Sequence, residues 1–152
     1  MLSKIMYLIL LTFTPFLELR ASIPYGINIL ELPWAVVFFV CVLTNIILGP
    51  IVYILIDKFI HIFLNYKIFA KQYNRIITRT QKRMHKYIEK YGWIGLALFI
   101  AVPLPGSGSY SGALAADLVG LSFRKFVIAN TLGVLIAGIL VTLASQGFLT
   151  LF

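Results

Sequence analysis

Two charged residues and a cluster of hydroxyls are the groups in this chain best suited to chemistry in an apolar setting. Glu18 and Arg20 stand in the stretch Pro15-Phe-Leu-Glu18-Leu-Arg20-Ala-Ser-Ile-Pro24. The hydroxyls stand in Pro103-Leu-Pro105-Gly106-Ser107-Gly108-Ser109-Tyr110-Ser111-Gly112. Arginine keeps its charge at any ordinary pH and offers a planar fork of donors suited to phosphate or carboxylate. Glutamate can exchange a proton or hold a cation. Two prolines stop a helix and supply no N–H, while Gly106 and Gly108 permit left-handed backbone and expose N–H donors. A helix restarting around Ser109 to Gly112 would point its positive end at the break, which makes an anion site. The expected substrate-binding set is therefore Glu18, Arg20, Gly106, Ser107, Gly108, Ser109, Tyr110 and Ser111. Asp117, a little further on, joins Glu18 as a candidate for H⁺ or Na⁺ coupling. Asp117 could equally be an interfacial residue paired with Arg124 or Lys125. Asn45 and Asn130 sit in long apolar runs, where they could bond the broken segments or neighbouring helices.

These groups are set in a chain that duplicates itself. Each half has a proline-punctuated polar break, then a long hydrophobic run holding an Asn and a Gly: Asn45 with Gly49, and Asn130 with Gly133. Equivalent landmarks are roughly 84 to 89 positions apart, an internal repeat. Breaks in paired halves mark transporter binding sites, because lipid cannot satisfy the freed backbone groups. Pro24, Asn45, Pro103, Pro105, Gly112 and Asn130 are the expected supporting residues.

Composition sets the class. The 152 residues are 61% hydrophobic and only 12% charged. Soluble domains carry about 25% charge, so an integral membrane protein of one domain is expected, all-α, in the cytoplasmic membrane. Of the 13 basic residues, most lie between Lys58 and Lys90. A basic block between membrane segments reads as a cytoplasmic loop, not a nucleic-acid site. The single cysteine, Cys41, excludes a disulfide scaffold within one chain. The N-terminus has the Lys4 and apolar run of a signal peptide. Glu18 and Arg20, however, stand where small residues would prepare cleavage.

The organisation follows: repeat 1 over 5–56, a basic linker over 57–92, repeat 2 over 93–149. Residues 33–56 and 126–149 are long enough to cross a bilayer, whereas 5–17 and 93–102 are short. Either four kinked helices cross, or 5–32 and 93–122 are re-entrant hairpins and only two helices cross. Hairpins place the basic block and Arg124-Lys125 on one side, as the positive-inside rule favours. They also make the halves inverted, with tips meeting near the midplane. In the linker, Lys67, Lys71, Arg75, Arg79, Lys82, Arg83, Lys86 and Lys90 fall within an arc of about 160°, opposite an apolar face. Such a helix suits anionic lipid at the cytoplasmic surface, or a partner. Ala129, Gly133 and Ala137 form a small-residue ridge for packing within the chain or between subunits of a homo-oligomer.

The segments 18–24 and 103–113 resemble the small multidrug export family of bacteria and archaea, and the likeness covers nearly the whole chain. The architecture is also similar, at the level of fold, to the DedA/VTT superfamily. That likeness implies paired re-entrant hairpins and a link to polyprenyl-phosphate transport or lipid scrambling. The Arg-rich motif of DedA proteins is absent. The leading expectation is a small secondary transporter for an anionic or amphiphilic substrate, including a lipid phosphate. Export of cationic drugs through Glu18 is the variant that the family name implies. A non-transporting membrane scaffold is the alternative of a different class. Metal-ligand spacing, a nucleophile–base motif and a nucleotide-binding loop are missing, so neither a cofactor nor an enzymatic role is expected.

Overall fold

A computed structural model describes residues 2–15, 17–64, 91–103 and 107–151. The expected lipid-binding residues from Lys67 to Lys90 lie outside the described residues, as do Pro105 and Gly106. The described residues form six α-helices and no strand: α1 (Leu2–Thr12), α2 (Glu18–Asn28), α3 (Trp34–Leu64), α4 (Tyr91–Ala101), α5 (Ser109–Leu118) and α6 (Phe123–Leu151). The order short, short, long occurs twice.

Length separates the two kinds. The 11 residues of α1 or α2 span about 16 Å, half the hydrocarbon thickness. Apolar stretches of 26 residues in α3 and 25 in α6, about 39 and 37 Å, are enough to cross it. Their outward faces are apolar as well. Phe39, Leu43, Ile47 and Ile51 are exposed along α3, and Ile128, Leu132, Ile136 and Leu143 along α6. A soluble core helix would turn polar residues outward, so these stripes suit a lipid surround.

Named contacts give the directions. Lys4 Nζ donates to the Leu30 carbonyl at 2.9 Å, Leu8 lies against Gly26, and Thr12 Oγ1 lies 2.8 Å from Ser22 Oγ. One number falls as the other rises, so α1 and α2 are antiparallel. Val42 meets Gly138 and Gly49 meets Asn130, which makes α3 and α6 antiparallel too. Tyr53 in α3 donates to the Leu121 carbonyl at 2.8 Å and stacks on Phe126 at 4.9 Å. The second half of α3, around Tyr53, therefore lies beside the start of α6, where Arg124 and Lys125 stand. The α1–α2 pair opens at the other end, next to the start of α3.

The halves cross-pack: α2 lies against α6 as well as α3, and α5 against α3. Glycines set the closest approaches. At Gly133 of the small-residue ridge, an added Cβ would stand 2.7 Å from Ile100 Cβ and 2.8 Å from the Ala97 carbonyl. Ala129 and Ala137 of the same ridge are fully buried. The ridge is thus used within the chain, to seat α4.

One boundary differs from the sequence expectation. The first break was expected to run from Pro15 to Pro24, but α2 already begins at Glu18, and Pro24 lies inside it. Proline's fixed φ is helical; what it removes is one N–H, that to the Arg20 carbonyl. The helix continues through that single loss.

Candidate functional site

The two breaks meet. Glu18, the first residue of α2, has φ +45°. Left-handed backbone at a non-glycine residue costs on the order of 1–3 kcal/mol and persists only where surroundings impose it. Here the imposing partner is the start of α5. The Ser109 N–H donates to Glu18 Oε2 at 3.0 Å, and the Tyr110 N–H to Oε1 at 3.1 Å. The first four N–H groups of a helix have no partner in their own helix and carry its positive end. A carboxylate from another segment satisfies two of them. Asn45 Nδ2 of α3 adds a donor 3.4 Å from Oε2. Glu18 is 2% exposed.

Arg20 does the converse. Its Nη2 donates to the carbonyls of Ile100 at 3.0 Å and Val102 at 3.1 Å, at the end of α4, and contacts Ser107 Oγ at 3.1 Å. Ser107 Oγ in turn donates to the Val102 carbonyl at 2.6 Å. Unpaired carbonyls at a helix end are its negative pole, so a guanidinium is the matching cap. Each charge of the first half thus neutralises one end of the second break. Arg20 Nη1 and Glu18 Oε2 lie 3.4 Å apart, which leaves no uncompensated charge in a buried place. A further tether runs from Tyr110 Oη to the Phe13 carbonyl, 2.6 Å.

Gly108 has a different role from the expected one. Its φ of −85° and ψ of −161° are extended, not left-handed, and open to any residue. The need for glycine is space. A Cβ at 108 would stand 1.9 Å from Glu18 Oε2. The carboxylate reaches the helix end because nothing stands in front of it.

Of the expected residues, Glu18, Arg20, Ser107, Gly108, Ser109 and Tyr110 come together with Asn45. Ser111 Oγ turns back to the Gly108 carbonyl at 3.1 Å, a local contact within the first turn. Pro103 follows the capped end of α4, and Gly112 is where α5 rests on Ile100. Asp117 is not brought in: it lies at the far end of α5, about 12 Å of helix from Ser109. Asn130 packs its amide flat on Gly49, one turn beyond Asn45, and neither amide atom has a partner among the described residues.

Sequence reasoning missed what stands behind Glu18. Ser22 Oγ lies 2.9 Å from the Glu18 carbonyl oxygen and 3.3 Å from Cys41 Sγ, with Thr12 on its other side. The spacing of Glu18 and Ser22, one helical turn, was the available signal. Nothing in the described residues groups three metal-ligating side chains. The arrangement can hold a carboxylate-sized anion and neutralise two helix ends.

The model of one protein family matches residues 18–140 of the chain, which take in α2, the whole of α3, the second break and the first 18 residues of α6; its description is "putative small multi-drug export protein". No curated protein and no solved structure matches.

Proposed function

The chain belongs to the small multidrug export family, and from that premise we propose that it is a secondary transporter whose substrate passes between the two meeting breaks. The carrying observation is the pair of buried Glu18 and partly buried Arg20, each bonded to the break of the other half. A scaffold needs no charges buried at two helix breaks; a carrier needs a polar site sealed from lipid. Antiparallel α3 and α6 support an inverted pair of halves. The 16 Å helices of the first half support re-entrant hairpins over full spans. The shared end of α3 and α6 then faces the cytoplasm, with the basic segment and Arg124-Lys125, in the cytoplasmic membrane.

The substrate is anionic or amphiphilic, a carboxylate or a phosphate, lipid phosphate included. Donors point at the site: two N–H groups of α5, the Asn45 amide and Arg20. Export of cationic drugs would need Glu18 open to a cation, but both its oxygens accept from N–H groups and Arg20 stands 3.4 Å away. We assign proton coupling to Glu18 rather than Asp117, since protonation would remove the negative charge that faces the start of α5 and Arg20.

The test is flux in proteoliposomes, with a fluorescent phosphatidic acid and the cationic dye ethidium as alternative substrates. The proposal expects movement of the anionic lipid, lost in Arg20→Ala. Ethidium flux alone, unaffected by Arg20→Ala, would reject it.

A further inference from the structure

We infer that Glu18 is a tethered gate: its carboxylate occupies the binding position of the transported anion, and the substrate's carboxylate or phosphate group takes the same donors when Glu18 swings out. The inference rests on the transporter reading and adds a substrate class and a gating step to it.

The donor set is that of an anion cradle, not of a simple ion pair. Both oxygens of Glu18 are held by the Ser109 and Tyr110 N–H groups in two-point fashion. Any carboxylate or phosphate could present the same two oxygens. Asn45 is fully buried and aims its Nδ2 at Oε2, while its Oδ1 has no partner among the described residues. The Ser109 hydroxyl, also fully buried, has no partner among the described residues. Leaving such groups unpaired costs stability, and a ligand that reached them would recover that cost. A phosphate, with more acceptor oxygens than a carboxylate, could engage Ser109 Oγ as well as the two N–H groups.

The tether is strained and short of room. Glu18 holds φ +45°, so leaving the cradle would let its backbone relax. Gly108 leaves open the space through which the carboxylate lies against α5. Arg20 is held by the α4 carbonyls and Ser107 independently of Glu18. It would therefore stay in place when Glu18 leaves, and would face the incoming anion. Exchange of one anion for another keeps the charge of the site balanced throughout, which an unfilled cradle beside Arg20 would not.

The experiment is rescue of an emptied cradle, read by thermal unfolding of the full chain in neutral detergent. Glu18→Ala removes the tethered carboxylate. Sodium acetate, inorganic phosphate and dihexanoyl phosphatidic acid are added in separate arms, with chloride at matched ionic strength as control. At least one of the three should raise the Tm of Glu18→Ala in a saturable way and not that of Glu18→Ala/Arg20→Ala. Wild type should need far more of the same anion, because an attached carboxylate competes at a high effective concentration. Glu18→Gln covers the case in which Glu18→Ala does not fold. Its neutral side chain holds the cradle more weakly, so it should respond at about tenfold lower anion concentration than wild type. Response to phosphatidic acid alone names a lipid head group as the source; response to phosphate or acetate names a free anion. If folded Glu18→Ala and Glu18→Gln respond to all three no more than to chloride, the gate is wrong. Wild-type flux of anionic lipid together with no rescue overturns the gate and leaves the transporter. Rescue in a protein without flux supports the cradle and overturns the transporter.

Discussion

Glu18 and Arg20 are two residues apart in one helix, yet they cap opposite poles of two others: Glu18 the start of α5, Arg20 the end of α4. The second break is therefore neutralised from outside, by one short segment of the first half. Four consequences are open to experiment.

Removing either charge should destabilise the protein. Taking one partner from a buried pair costs about 3–5 kcal/mol, and Glu18→Ala also strips two N–H groups of their acceptor. Chemical denaturation in detergent should show a loss of that order for Glu18→Ala, and a smaller one for Glu18→Gln, whose amide oxygen still accepts. Equal stability of Glu18→Ala and wild type would show that the carboxylate does not sit on α5.

Arg20→Lys should not be conservative. An ammonium is a point charge and lacks the fork that reaches Ile100, Val102 and Ser107 together. Anionic-lipid flux in proteoliposomes should fall at least about tenfold, while the variant keeps its gel-filtration profile; a tenfold change is about 1.4 kcal/mol. Wild-type flux would contradict the role given to the fork.

The ends of the long helices can be located by labelling. On a Cys41→Ala background, single cysteines at Lys58 and Lys125 should react with an impermeant reagent from the same side of the membrane. A cysteine at Lys4 should react from the other. Labelling of the first two from opposite sides would contradict the antiparallel arrangement of α3 and α6 in the membrane.

Much of this was legible in the residues. Charge content announced the membrane, and proline and glycine announced the second break, with a helix restarting at Ser109 as the pattern implied. That the two breaks would meet was an expectation of the sequence, and Glu18 and Arg20 do reach the second break. What was not legible was which donor met which acceptor. The α5 start was read as facing a substrate, but sequence spacing cannot show that Glu18 would reach it across 91 positions. Gly108 was read through its backbone freedom, the commonest reason for glycine. Its actual reason, a carboxylate lying in the space of its Cβ, is a tertiary contact with no local trace. Pro24 misled in the other direction, because a proline signals a break in sequence but can be carried by a helix that loses one bond. The small-residue ridge was readable as a contact; that α4 fills it was not.

The seat of Glu18 on α5 is tested most directly by a cycle with Gly108→Ala, because the two explanations of that glycine disagree. Alanine adopts φ −85° and ψ −161° without strain, so a backbone role would make the substitution harmless. A Cβ 1.9 Å from Glu18 Oε2 cannot coexist with the carboxylate in its seat. Unfolding free energies should be measured in detergent for wild type, Gly108→Ala, Glu18→Ala and the double variant. The expected result is a loss of about 2 kcal/mol or more for Gly108→Ala alone, and a loss near zero when it is added to Glu18→Ala, a coupling within the range of contacting residues. Gly108→Ala that costs nothing in wild type, or costs the same in both backgrounds, would contradict the seat of Glu18 and the gate built on it.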